Sequence, residues 1–361
     1  MTSKLSNGRY AAIFLTLSLS SCFVLAQSSI RFSAESASNR GVLTTDYWKS
    51  EKIDALPAHV IGYSDVSMRG SWEYKEQSLF VERRRTQTYV GGANALMLAA
   101  ADNLDTKSQT SGQYPITAKL KQFEWDALGL TLKGQSDSYQ GVRWQLEPKL
   151  AKLRQFKTGT GEGALTVAPD NSSLNGTIHR ESSSSYGYLI NSRPLDMGYG
   201  ASADASVMFD LQQAFSLTLD VKNIWSRFEV PGAYVNDRSY QVVQSAGEIK
   251  FSQTPSISGI YGQQGNVYRV PTIYKLGLSN NAPFSYGGGV IGFEGQHMSW
   301  AHVGYQTGLN HFDLTTYAFD NLAVSYRRDD LFIKGMSVGV VFLSGLSGKP
   351  TLQLQTVIYN F

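Results

Sequence analysis

Apolar and polar residues alternate along most of this chain, with the period of two that sends successive side chains to opposite faces of a strand. The clearest run covers residues 198–209 and 215–225. In the first segment Tyr199, Ala201, Ala203, Ala205, Val207 and Phe209 share one face, and Gly200, Ser202, Asp204 and Ser206 the other. In the second, Phe215, Leu217, Leu219 and Val221 oppose Ser216, Thr218, Asp220 and Lys222. The short link at 210–214 makes this a hairpin with one apolar and one polar face. Each strand has roughly the 9–11 residues that cross a bilayer when tilted. Similar alternation predicts strands over 30–37, 61–74, 79–90, 116–125, 142–150, 274–279, 284–293, 299–305, 311–319, 331–342 and 351–361. Pro148 interrupts one of these. The expected fold is all-β, a transmembrane antiparallel barrel of about 12 strands, within roughly 10–14.

Three segments leave the pattern. Residues 93–103, rich in Ala and Leu, predict a short helix. Residues 158–185, rich in Gly, Ser, Thr and Asn, read as a long loop, and so does the polar stretch 231–247. No fixed-period repeat is visible, which disfavours a propeller or solenoid.

Composition sharpens the fold class. Hydrophobic residues make up 42% of the 361 residues, and the mean hydropathy is −0.22. That excludes a bundle of apolar membrane helices. It leaves room for a membrane barrel, in which only alternate residues meet lipid. The 20 Tyr and 17 Phe suit aromatic girdles, and the 34 Gly suit bends and close strand contacts. The net charge of +3 comes from 32 basic and 29 acidic residues, mixed along the chain. Nothing in that distribution points to nucleic acid. A soluble periplasmic β-sandwich shows the same alternation, and periodicity alone does not separate it from a barrel.

The two ends carry targeting signals. Residues 1–26 read as a secretory signal, with Lys4 and Arg9 before a short apolar stretch and Val24-Leu25-Ala26 as the cleavage site. Residues 27–361 then form a single barrel domain. The alternative is the lipobox-like Leu19-Ser20-Ser21-Cys22, in which Cys22 would be lipidated. Cleavage after Ala26 removes the one cysteine and leaves no thiol chemistry in the mature chain. The chain closes on Tyr359-Asn360-Phe361. A last strand ending in Tyr-x-Phe resembles that of Gram-negative outer-membrane β-barrels, although Thr356 stands where that signal often has glycine. The resemblance implies an outer-membrane location, with Tyr359 and Phe361 read by the barrel-assembly machinery and outer-membrane lipid as a partner.

Candidate chemistry is sparse. His297 and Ser299 are two apart on a strand and so share a face. A His beside a Ser hydroxyl can activate it as a nucleophile. The pair is similar to the His-x-Ser motif of outer-membrane lipid hydrolases and deacylases. That resemblance makes Ser299 the nucleophile and His297 the base, with Glu294 or Asn310 to orient the imidazole. His297, His302 and His311 lack the spacing and the carboxylate or thiolate company of a metal site. No metal or cofactor is expected. Arg83 and Arg85 share one face of a strand, and with Asp204, Asp220 and Lys222 they are the candidates to line a lumen. Arg327-Arg328-Asp329-Asp330 reads as a charged turn.

Three functions follow. The first is a channel or uptake/export component for small or hydrophobic solutes. Residues 270–278, then Ile291-Gly292-Phe293-Glu294 and Val303-Gly304-Tyr305, resemble the long-chain fatty-acid transporter superfamily, although the Asn-Pro-Ala motif of that family's N-terminus is absent. The second is a non-conducting barrel or lipoprotein subunit in an envelope assembly that exports proteins or surface polysaccharide. The third is the membrane hydrolase.

Overall fold

A computed structural model describes residues 28–39, 60–74, 77–92, 103–105, 111–136, 141–168, 171–183, 198–211, 215–245, 248–250, 256–280, 283–317, 321–328, 336–345 and 351–358. Among them are eighteen strands: β1 (Ser28–Asn39), β2 (Val60–Tyr74), β3 (Gln77–Gly91), β4 (Asn103–Asp105), β5 (Gly112–Gln135), β6 (Val142–Val167), β7 (Asn171–Ser182), β8 (Tyr199–Leu211), β9 (Phe215–Ser245), β10 (Glu248–Lys250), β11 (Ser256–Tyr268), β12 (Ile273–Asn280), β13 (Phe284–Phe293), β14 (Gln296–Thr307), β15 (Asn310–Tyr317), β16 (Asn321–Arg328), β17 (Met336–Gly345) and β18 (Thr351–Ile358). Among the described residues no helix is long and apolar enough to cross a membrane. The helix expected over 93–103 falls outside the described residues, except that Asn103 opens β4. The signal segment with Cys22, and the terminal Tyr359 and Phe361, also lie outside them.

The sheet closes on itself. Its circuit runs β1-β2-β3-β5-β6-β8-β9-β12-β13-β14-β15-β16-β17-β18 and returns to β1 through the pairs Phe32↔Ile358 and Ser33↔Val357. Every pairing in this circuit is antiparallel. Closure removes the exposed edges that would otherwise recruit other strands. The circuit has fourteen members among the described residues, the top of the expected range.

Both ends of the barrel follow from the connections. At one end the links are short: 75–76, 136–141, 212–214, 281–283, 308–309 and 329–335. At the other end lie the long connections 40–59 and 92–111 and the extensions of β5, β6 and β9, which run far past their neighbours. There β7 pairs with the outer half of β6, β9 pairs with β7, and β11 pairs with β9. The stretches 158–185 and 231–247, expected as loops, are therefore mostly strand. Their polar residues alternate with Leu165, Val167, Leu174 and Ala233, which are buried. Pro231, lacking an N–H, falls where the β9–β11 register shifts between Gln264 and Asn266, so no ladder bond is lost there.

Alternation decides the faces. Val66, Met68, Leu79, Val81, Leu128, Leu130, Leu146, Leu150, Leu276, Leu278, Val303, Leu314 and Val324 are all exposed on the outside. Toward the short-turn end the outward residues become aromatic: Trp72, Trp144, Phe209, Phe284, Tyr286, Tyr305, Phe312 and Tyr326. An apolar belt edged by aromatic rings is the surface that a bilayer requires of a barrel.

Candidate functional site inside the barrel

Inside, charge concentrates on the arc formed by β2, β3, β5, β6, β8 and β9. Arg84 is its centre, with a relative side-chain exposure of 1%. Its Nε and Nη2 donate to the two carboxylate oxygens of Asp65 at 2.7 Å each, and its Nη1 donates to Asp204 Oδ2 at 2.8 Å. Thr86 Oγ1 donates to Asp65 at 2.8 Å. Lys149 Nζ links Glu82 at 2.8 Å with the same Asp204 oxygen at 2.7 Å. The other Asp204 oxygen accepts the backbone N–H of Asn223 at 2.7 Å. That contact is made by a bulge. The β8–β9 register shifts between Ala203 and Ala205, and Asn223 takes φ 52°, a conformation that Asn tolerates better than most residues. Nearer the short-turn end Arg69 Nη1 donates to both oxygens of Glu147 at 2.8 and 2.9 Å, while Nη2 donates to Thr131 at 2.6 Å. The Arg69 guanidinium also lies 3.6 Å from the centre of the Phe80 ring. Buried charges persist only when paired and hydrogen-bonded, and each of these has an oppositely charged partner.

Above this network the interior becomes apolar. Phe123, Trp125, Leu153, Phe156, Phe228, Val230, Tyr268 and Val270 pack as one cluster on the β5–β6–β9–β11 side. A second cluster joins Tyr63 of β2 to Ile273, Ile291, Phe293, Met298 and Trp300 of β12, β13 and β14, with Ile61 and Val90 against it. The Tyr63 and Phe293 ring centres are 5.8 Å apart. Their strands, β2 and β13, stand seven steps apart in either direction round the circuit. Side chains from opposite walls thus meet in the middle and form an aromatic and aliphatic seal across this part of the lumen. Glu294, in the two-residue turn after β13, closes the seal from above. It accepts hydrogen bonds from Lys119 and from Lys121, the latter at 2.6 Å, both on β5. Burial pushes the Glu294 carboxyl up, but the two ammonium groups outweigh it and hold the carboxyl below its ordinary value.

Asp204 lies at the heart of the network, and Asp220 and Lys222 share its inward face, with Lys275 of β12 close enough to act on Asp220. Lys275 Nζ stands 4.2 Å from the Trp300 ring centre, so the charged and apolar zones touch there. Arg83 and Arg85 do not line the lumen: the register turns Arg84 inward and leaves both neighbours exposed on the outside. His297 and Ser299 are exposed on the outer face of β14, and no hydrogen bond joins them among the described residues. Neither proposed orienter is beside them. Glu294 is held by the two lysines, and Asn310 lies at the opposite end of the hairpin, bonded to Tyr326 and Thr307. His302 points inward and stacks on Trp300, apart from His297. No cluster of His, Cys, Asp and Glu able to hold a metal occurs among the described residues.

No family model and no curated protein matches this chain. Among solved structures it is similar to a TodX deltaS2S3 mutant monoaromatic hydrocarbon channel. The TM-score is 0.43 and the identity 9%, over 94% of this chain and 92% of that chain.

The residues that sequence reasoning passed over are Asp65, Arg69, Arg84, Glu147 and Lys149 in the network, Tyr63 and Phe293 in the seal, and Lys119 and Lys121 above it. Glu147 and Lys149 had a readable signal, because they alternate with Trp144, Leu146 and Leu150. The seal had none, since it joins strands far apart in sequence.

Proposed function

We propose that this protein is an outer-membrane channel for small hydrophobic solutes, resting shut. The observation that carries this is the aromatic and aliphatic seal between opposite walls, lying above a fixed charged network. An apolar solute can replace the contacts that Tyr63, Phe293 and Trp300 make with one another. A hydrated ion cannot, because an apolar constriction excludes the water it needs. In this reading the long-connection end faces outward, as barrels place their short turns in the periplasm. The charged network braces the wall beneath and keeps the passage narrow.

The test pairs two assays on the full-length protein. In planar bilayers, ion conductance is expected to stay near baseline, and Phe293→Ala is expected to raise it. In vesicles, entry of an apolar fluorescent solute is expected to saturate with concentration. A large open-state conductance in the wild type, without saturable entry of the apolar solute, would overturn the proposal. The braced interior also favours a second reading, a non-conducting subunit of an export assembly. That reading predicts that neither ions nor apolar solute pass, before or after Phe293→Ala.

A further inference from the structure

One arc of the outer wall concentrates charge. On β3, β5 and β6 the outward residues change from apolar to charged at one register. Val81, Leu128 and Leu150 are exposed and pair in line across the three strands. Two residues further toward the long-connection end, Arg83, Asp126 and Lys152 pair in line in the same way. Beyond them stand Arg85, opposite Glu124, and Arg154. The outward positions of β12 to β15, among the described residues, hold no Lys, Arg, Asp or Glu.

The charged side chains are arranged rather than scattered. Arg83 Nε donates to Asp126 Oδ1 at 2.8 Å, and Arg154 Nη1 donates to Asp126 Oδ2 at 2.7 Å. One carboxylate thus sets two guanidinium groups side by side on the surface. Lys152 Nζ stands 5.6 Å from the centre of the exposed Tyr199 ring. Arg83, Arg85, Lys152 and Arg154 stand with Glu124 and Asp126, and the Arg227–Glu229 pair beyond Tyr199 adds no net charge, so the patch is positive.

We propose that this patch binds the phosphorylated headgroup of an outer-leaflet lipid, whose acyl chains lie along Val81, Leu128 and Leu150. Paired guanidinium groups match phosphate oxygens in geometry and charge. Long basic side chains rooted at the edge of an apolar surface reach naturally into the headgroup layer. The unbroken step from aliphatic wall to cations selects an amphiphile over a soluble anion. This site rests on the barrel lying in a membrane, as proposed above.

The test uses the full-length protein and two probes: a phosphorylated acylated glycolipid and its dephosphorylated counterpart. Flotation with vesicles first reports whether the barrel inserts; failure there removes the membrane reading itself and is seen separately from any lipid preference. Retention of each probe by the detergent-solubilised barrel is then measured by native mass spectrometry. The wild type is expected to retain the phosphorylated lipid over the dephosphorylated one. The R83Q/R85Q/R154Q variant is expected to lose that preference by at least about tenfold. Equal retention of both lipids by an inserted wild type would overturn the site, whether or not the variant folds. So would an unchanged preference in a variant that floats normally.

Discussion

Arg83, Arg84 and Arg85 are consecutive in sequence, yet the period of the strand gives them opposite surroundings. Arg84 is enclosed by Asp65 and Asp204, and its neighbours stand outside. Replacing Arg84 with Met strands two carboxylates in the interior and is expected to cost about 3–5 kcal/mol. Arg83→Gln, on the surface, is expected to stay within about 0.5 kcal/mol. Urea midpoints of the two variants, read by loss of the folded gel band, check the contrast. Which arginine faces inward was not legible in the sequence. The preceding Leu79-Phe80-Val81 is apolar on both faces, so alternation gives no parity there. Asp204 and Asp220 were legible because their hairpin alternates without a break. Glu294 supplies a pH test. Its folded carboxyl titrates below the ordinary 4.5, so its contribution is complete above that value and disappears as pH falls through the lower folded value. Conductance is therefore expected to be flat from neutral pH down to about 4.5 and to rise under stronger acid. Glu294→Gln is expected to show raised conductance at neutral pH and no such rise.

At the scale of elements, the extensions of β5, β6, β7, β9 and β11 are the largest departure from expectation. Gly, Ser, Thr and Asn over 158–185 are loop formers by composition, and local reading stops there. They form strands because β5 lies on one side of the β6 extension and β7 on the other, pairings that become visible only in three dimensions. One side-chain group ties this region together. His179 of β7 bonds through Nδ1 to Asp237 of β9, and its Nε2 lies 3.2 Å from Glu181. Burial pulls the imidazole down, but the bond to Asp237 and the two carboxylate charges outweigh it and raise it above 6.5. A raised value means that the tie is complete below pH 6.5 and is lost as pH rises through the folded value. Limited proteolysis of β7 and β9 is thus expected to be slower at pH 6 than at pH 8. His179→Ala is expected to remove the difference. Equal cleavage at both pH values in the wild type would show that the tie does not hold the extension.

At the scale of the molecule, fold class was readable because each strand repeats the same local pattern. The count was less so. β7 and β11, outside the circuit, lie in polar sequence, and within the circuit β16, with eight residues like β15 beside it, was passed over. The seal was invisible for a deeper reason: strands that are distant along the chain meet only once the wall has curved closed. A closed wall of paired strands also resists detergent until heated. The folded protein is expected to migrate faster on a gel before boiling than after, and identical migration would count against the barrel.

An even circuit of antiparallel strands has a topological corollary. Ser28 begins beside Tyr74, at the end of the barrel where β18 also finishes. The chain therefore returns to the compartment from which it set out. The chain enters the wall at Ser28 and leaves it at Ile358 on one side, while β3 ends at Gly91 and β5 begins at Gly112 on the other. An epitope at Ser28, one at Ile358 and one between Gly91 and Gly112 turn that parity into an accessibility map. In intact cells the two flanking epitopes should stay hidden together, and the middle one should be labelled alone.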